Sequence, residues 1–309
     1  MITIEHLVKR YGSQTVIDDL TFACEPGTVT GFLGPNGAGK STTLRALTGL
    51  TRPSSGLTTV AGQPYHDLPN PPRVVGVMLD ASAIHPGRTG IETLRLAARY
   101  AGVDSAIAPK VLERVGLSEE AGRKRVRKYS LGMRQRLGIG IALMGDPQVL
   151  ILDEPANGLD PEGIRWMRHL LRGFADAGGT VLLSSHLLRE VEATVDRLVV
   201  INGGRMIRQG NIDDLLEGNG VTVRATEPDR LREALERAGA SFTMDLEGTA
   251  RTALAAEDVG RLALRESLVL TSLQSDARTG LEELFFALTD ADTALPHSAP
   301  ASQPAAPTK

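Results

Sequence analysis

Residues 34–42 read Gly-Pro-Asn-Gly-Ala-Gly-Lys-Ser-Thr, a run that fits the phosphate-loop spacing G-x-x-x-x-G-K-[ST] with Gly34, Gly39, Lys40 and Ser41 in the required places. This run constrains the fold because each residue type has a task that works in one context. Gly34, Gly37 and Gly39 allow successive N–H groups to curl around phosphate oxygens without a Cβ in the way. Asn36 and Thr42 complete the candidate contacts within the same loop. Lys40 brings a charge that reaches β- and γ-phosphates, and the Ser41 hydroxyl can ligate Mg²⁺. The flanks agree: Thr28–Leu33 alternates like a short buried strand, and Leu44, Leu47 and Leu50 recur at helical spacing. Strand, loop and helix in this order place a phosphate at a helix N-terminus.

The rest of the chain alternates in the same way. Strands are predicted over 2–8, 15–23 and 28–33, with two more within 57–80. From about 90 to 145 the spacing becomes helical, through Ile91, Leu94, Leu96, Ala97 and Tyr100 and again over 108–115. Val149–Leu152 is an unbroken apolar run of the kind that fills a central parallel strand covered on both faces. A helix over 164–177, strands over 180–184 and 198–201, and a helix over 187–195 continue the βαβ order of a doubly wound α/β core. A break at Glu217–Gly220 divides a domain over 1–217, with its helical part at about 82–145, from an accessory unit over 220–290. That unit reads strand, helix, two weaker strands, helix, strand and a closing helix over 280–289, an α+β order that is ferredoxin-like. Residues 291–309, rich in Ala, Pro and Ser, are expected to be a disordered tail.

Composition narrows the function classes. Apolar residues at 41% and charged residues at 23% describe a globular chain, and a net charge of −3 offers no general attraction for nucleic acid. The lone Cys24 excludes an intramolecular disulfide and, within Leu20–Phe22–Ala23, reads as a small buried hydrophobe. No secretory pattern opens the chain, and no apolar run approaches the length of about 18 residues that crosses a bilayer, so any work at a membrane needs a spanning partner.

Asp153 and Glu154 follow the apolar run directly. Adjacent carboxylates at the end of a buried strand are costly unless they serve a cation or a reaction. A phosphate loop needs a strand-end carboxylate near Mg²⁺ and a group that positions or deprotonates water; Asp153 fits the first role and Glu154 the second. His186 ends another buried strand after Ser184–Ser185, at the edge where open α/β sheets bind ligands.

These motifs, in this order, resemble the ATP-binding cassette (ABC) ATPase family across nearly all of residues 2–215. Tyr11 stands where the family's adenine-stacking aromatic occurs, and residues 34–42 match its Walker A. Tyr129–Ser130–Leu131–Gly132–Met133–Arg134–Gln135–Arg136 is similar to its signature segment. Leu150–Pro155 is similar to its Walker B with the catalytic carboxylate, Gly158–Pro161 to its D-loop, and His186 to its switch histidine. The resemblance implies a P-loop ATPase core with a helical signature subdomain. ATP and Mg²⁺ would be bound by Lys40, Ser41 and Asp153, with Glu154, His186 and Lys40 as catalytic groups. Ser130 and Gly132 would complete the site on ATP held by another subunit, and Asp160 of the D-loop would be a further nucleotide-binding residue. A single cassette therefore implies a homodimer or a pairing with a homologous subunit, and a transmembrane permease as partner at the cytoplasmic face of the membrane. Direct nucleic-acid binding is not expected.

Three positions depart from the family pattern. Leu131 replaces the first signature glycine, Met133 stands at the usual glutamine, and Asp80 occupies the Q-loop glutamine position with no glutamine elsewhere between residues 64 and 134. A carboxylate there can still hold a Mg²⁺-bound water, which makes Asp80 a candidate metal residue, but it adds negative charge beside a triphosphate. His85–Pro86–Gly87–Arg88–Thr89 and the closing Leu281–Phe286 resemble the drug- and antibiotic-exporting branch. The other readings are a soluble non-transport ABC ATPase with a translation or regulatory role, of which the translation type typically carries two cassettes, and an ATP-regulated binding module with little turnover.

Overall fold

The computed structural model describes residues 1–185, 188, 192–216, 221–245, 247–275 and 280–286. The chain opens with β1 (Ile2–Tyr11), β2 (Gln14–Cys24), β3 (Val29–Leu33), α1 (Lys40–Leu47) and β4 (Ser55–Val60), then α2 (Pro71–Val74) and β5 (Val75–Met78). The helices α3 (Gly90–Tyr100), α4 (Ala108–Arg114), α5 (Glu119–Arg123) and α6 (Leu131–Leu143) precede β6 (Val149–Asp153) and α7 (Pro161–Asp176). Next come β7 (Thr180–Ser184), β8 (Arg197–Asn202), β9 (Arg205–Asn211) and α8 (Ile212–Leu216).

A six-stranded sheet in the order β5-β6-β7-β3-β8-β9 carries the site. Its strands pair in parallel except at β9, which runs antiparallel along β8 at the edge. Both faces of this sheet are covered, and the period of two in the strands divides their side chains between two cores. Phe32, Val149, Ile151, Leu182 and Ile201 face β1, β2 and α1. Leu33, Leu150, Leu152, Leu183 and Val200 face the helical side. β1 and β2 look like any other strands in sequence, yet they join β4 in a separate antiparallel sheet of order β2-β1-β4.

The helical part begins at a reciprocal cap, in which the Thr89 hydroxyl accepts from the Glu92 N–H while the Glu92 carboxylate accepts from the Thr89 N–H. Trp166 of α7 reaches across to it, donating its Nε1–H to the Arg114 carbonyl at 3.3 Å, with the Arg136 guanidinium 4.4 Å from the indole centroid.

Past residue 220 come β10 (Val221–Ala225), α9 (Pro228–Arg237), β11 (Phe242–Met244), β12 (Thr249–Thr252), α10 (Ala256–Arg265) and β13 (Leu270–Ser275). They form an antiparallel sheet of order β11-β12-β10-β13, the βαββαβ arrangement of a ferredoxin-like unit. Its core holds Val223, Leu231, Leu235 and Val259. A helical segment over 281–286 returns to the cassette, where Leu281 is fully buried and its N–H donates to Glu192 Oε2 at 3.1 Å. The expected tail over 291–309 lies outside the described residues. Sequence patterning missed β9, because Arg205–Asn211 is an edge strand whose polar, half-exposed side chains break the alternation. Among the described residues, no helix is long and apolar enough to cross a membrane.

Candidate active site

The phosphate loop joins the end of β3 to the start of α1. Gly39 has φ 105°, and a Cβ there would lie 3.0 Å from the Val16 carbonyl oxygen, so both conformation and space require glycine. The helices α3, α6 and α7 begin on Thr89, Ser130 and Asp160, whose side chains accept a hydrogen bond from the first turn. α1 begins on Gly39, which has no side chain to offer, and no acidic residue occupies its first turn. Its leading N–H groups are therefore available to an anion. Lys40 is buried and donates to the carbonyls of Gly34 at 2.5 Å and Pro35 at 3.2 Å. Burial pulls its pKa below the ordinary lysine value, opposed by the nearby Glu154 and Asp153 charges.

One cleft of about 460 Å³ brings together Asn36, Gly37, Gly39, Lys40, Ser41 and Thr42 with Asp80, Asp153 and Glu154. Gly34 opens the loop and bonds to Lys40 from behind it. Asp153 ends β6, and its Oδ1 accepts a short hydrogen bond from the Ser184 hydroxyl. The Glu154 N–H donates both to the Ser184 carbonyl, at 3.2 Å, and to its Oγ, at 3.1 Å. Glu154 has φ 51°, an uncommon backbone state for a residue with a side chain. Such residues cost about 1–3 kcal/mol and cluster at functional sites.

Other candidates lie off this cleft. Tyr11 ends β1 at 50% exposure, with the Lys9 ammonium 4.6 Å from its ring centroid, and it does not line the cleft. Val16 lines it instead. Ser130 is exposed, and its Oγ accepts from the Met133 N–H at 3.2 Å, which leaves the hydroxyl proton free to donate. Gly132 lies against the D-loop: a Cβ would sit 2.9 Å from the Gly158 carbonyl. Asp160 caps α7 through the Gly163 N–H at 2.8 Å. His186 lies outside the described residues.

The description "ABC transporter" belongs to the family whose profile matches residues 17–157. The bacitracin transport ATP-binding protein BcrA of Bacillus licheniformis is 40% identical over 71% of this chain and 72% of its own length. The chain belongs to the ABC transporter ATP-binding family. The Nod factor export ATP-binding protein I of Cupriavidus metallidurans is 39% identical over 76% of this chain and 80% of its own length. A solved ATP-binding subunit of an ABC transporter is 30% identical, with a TM-score of 0.64 over 70% of this chain and 91% of that one.

Two of the positions at which this ABC ATPase departs from the family pattern make defined contacts in the fold. The Leu131 side chain lies over Gly158, within 2.3 Å of where a Cβ would stand. It thus packs the signature turn on the D-loop while remaining 44% exposed. Asp80 directs Oδ1 to the Ser82 N–H at 2.7 Å. Its hydrogen bonds to Ser82 hold its carboxyl below the usual range, so it enters the cleft as a carboxylate. Sequence reasoning missed Val16, Gln135 and Asn157 as cleft residues and undervalued Ser184. Ser184 had one signal, a polar residue closing a buried apolar strand. Val16 had none.

Proposed function

We propose that this ABC ATPase powers a separate transmembrane exporter, and that its hydrolytic site is half of a shared one. The observation that carries this reading is a division of labour. Lys40, Ser41, Asp153 and Glu154 share one cleft, whereas Ser130 and Gly132 stand outside it on an exposed helix start. Lys40 and the open N–H groups of α1 hold the β- and γ-phosphates of ATP, and Glu154 takes the proton of the attacking water. Ser41 and Asp153 offer hard oxygen donors of the kind Mg²⁺ takes from protein, one or two per ion, with phosphate and water filling the remainder. When bound there, the metal neutralises charge on the phosphate oxygens. Ser130 donates its free hydroxyl proton, and the start of α6 its N–H groups, to a γ-phosphate held by a second subunit. Two cassettes then close head to tail, as a homodimer or with a homologous chain.

The permease docks on the helical part. An apolar cleft of about 440 Å³ between α3 and β5 is lined by Tyr65, Val77, Leu96, Tyr100 and Ile141, with Tyr100 80% exposed. Exposed large apolar side chains beside a groove are typical of a protein-binding surface. This contact holds the chain at the cytoplasmic face of the membrane. Export of an antibiotic-like or drug-like molecule is supported by the bacitracin and Nod factor relatives and by His85–Thr89.

The test is Glu154→Gln. It should bind ATP with wild-type affinity, lose about 10²-fold or more in turnover, and elute as an ATP-dependent dimer in size-exclusion chromatography. Turnover at the wild-type rate would remove Glu154 from the role of base.

A further inference from the structure

Gln135 lies in the nucleotide cleft, and the roles above leave it unused. It sits on α6 about one turn past Gly132, is 5% exposed, and shares the cleft with Lys40, Asp80 and Glu154. Its Nε2 donates to the backbone carbonyl of Glu154 at 3.4 Å. Its Oε1 is buried, and among the described residues nothing donates to it. A buried acceptor left in this way costs about 1–3 kcal/mol. The neighbouring helix positions Leu137, Ile139 and Leu143 are buried and apolar. An apolar side chain of the same length would avoid that cost, so stability alone does not explain an amide here.

The backbone of Glu154 supplies the explanation. Its φ of 51° needs support from both sides. Ser184 holds its N–H, and Gln135 holds its carbonyl. The Q-loop position offers no amide, because Asp80 stands there with its carboxylate turned onto Ser82.

We propose that Gln135 is a positioning residue for Glu154. Its Nε2 fixes the Glu154 carbonyl, and its Oε1 accepts a hydrogen bond from water admitted to the cleft with the nucleotide. Gln135 belongs to the same helix as Ser130, whose hydroxyl serves the second subunit. One amide therefore links closure of the dimer to the placement of the base. This inference rests on Glu154 as the base.

The experiment compares steady-state ATPase kinetics, equilibrium binding of a fluorescent ATP analogue and thermal unfolding of the full chain for wild type, Glu154→Gln and Gln135→Met. For Gln135→Met, kcat should fall about tenfold or more, since small displacements of a catalytic group cost that much. Affinity for the analogue and KM should stay within about twofold, and Tm should move by less than about 4 °C, because loss of the orphaned acceptor offsets loss of the Nε2 hydrogen bond to the Glu154 carbonyl. A wild-type kcat, or a loss of kcat accompanied by weaker binding and a Tm lower by more than about 4 °C, overturns the inference. If Gln135→Met does not fold, Gln135→Asn replaces it: the amide remains but falls short of the Glu154 carbonyl. Lowered kcat at unchanged affinity then supports the role, and wild-type kcat overturns it. A slow Glu154→Gln beside a fast Gln135→Met refutes only this inference. A fast Glu154→Gln, or a wild type without ATPase activity, removes the underlying reading and this inference with it.

Discussion

Ser184→Ala tests whether the end of β7 organises the carboxylate pair. Ser184 is fully buried; its hydroxyl donates to Asp153 Oδ1 and accepts from the Glu154 N–H. A hydrogen bond to a charged group contributes about 1.5–3 kcal/mol and a neutral one about 0.5–1.5 kcal/mol. The second loss is discounted, because the Glu154 N–H keeps the Ser184 backbone carbonyl at 3.2 Å. The first is discounted in part, because Asp153 is half-buried and cleft water can replace some of the lost contact. The expected net cost is about 2 kcal/mol, or roughly 4–8 °C in Tm at the scale of a 150–250-residue domain. Trp166, the lone tryptophan, sits on α7 within the cassette, so its fluorescence during urea unfolding reports this domain. Combining the change with Asp153→Ala should give a coupling of about 1 kcal/mol, beyond the roughly 0.3–0.5 kcal/mol within which independent sites add. A cost below about 0.5 kcal/mol for Ser184→Ala, or strict additivity with Asp153→Ala, would refute the reasoning.

Two further predictions concern single side chains. Lys40→Ala removes both hydrogen bonds to the loop carbonyls and the charge proposed to face the phosphates; ATP turnover should be lost, and near-normal ATPase activity would contradict the phosphate-loop assignment. Burial pushes the Cys24 thiol from 9.0 up to about 12, so Ellman's reagent at pH 8 should label it fast only after denaturation. The unfolded thiol ionises near its ordinary value while the native thiol keeps its proton. Stability therefore falls as pH rises from about 9 towards 12, by up to about 1.4 kcal/mol per pH unit; rapid native labelling would contradict the burial.

The cassette's main motifs were legible because their chemistry is local. Gly34–Ser41 must curl and cap a helix within one short segment, and the apolar run Val149–Leu152 announces a strand covered on both faces before Asp153 and Glu154 appear. The accessory unit was legible for a similar reason, since βαββαβ is an order of elements and the spacing of apolar residues reveals each one. What sequence did not disclose depends on residues distant along the chain. β1 and β2 alternate like strands of any sheet, and only packing assigns them to the antiparallel layer with β4. Leu131 departs from the signature pattern in sequence, and only the fold sets its side chain against Gly158. Glu154 was visible as a carboxylate but not as a residue at φ 51°, held by Ser184 from a neighbouring strand and by Gln135 from the signature helix. Local sequence determined which groups are available to the proposed triphosphate site, because the loop and strand ends carry their chemistry with them. The tertiary fold decided which side chains hold those groups in place, because such support comes from hydrogen bonds and contacts that close long loops of chain and leave no periodic trace.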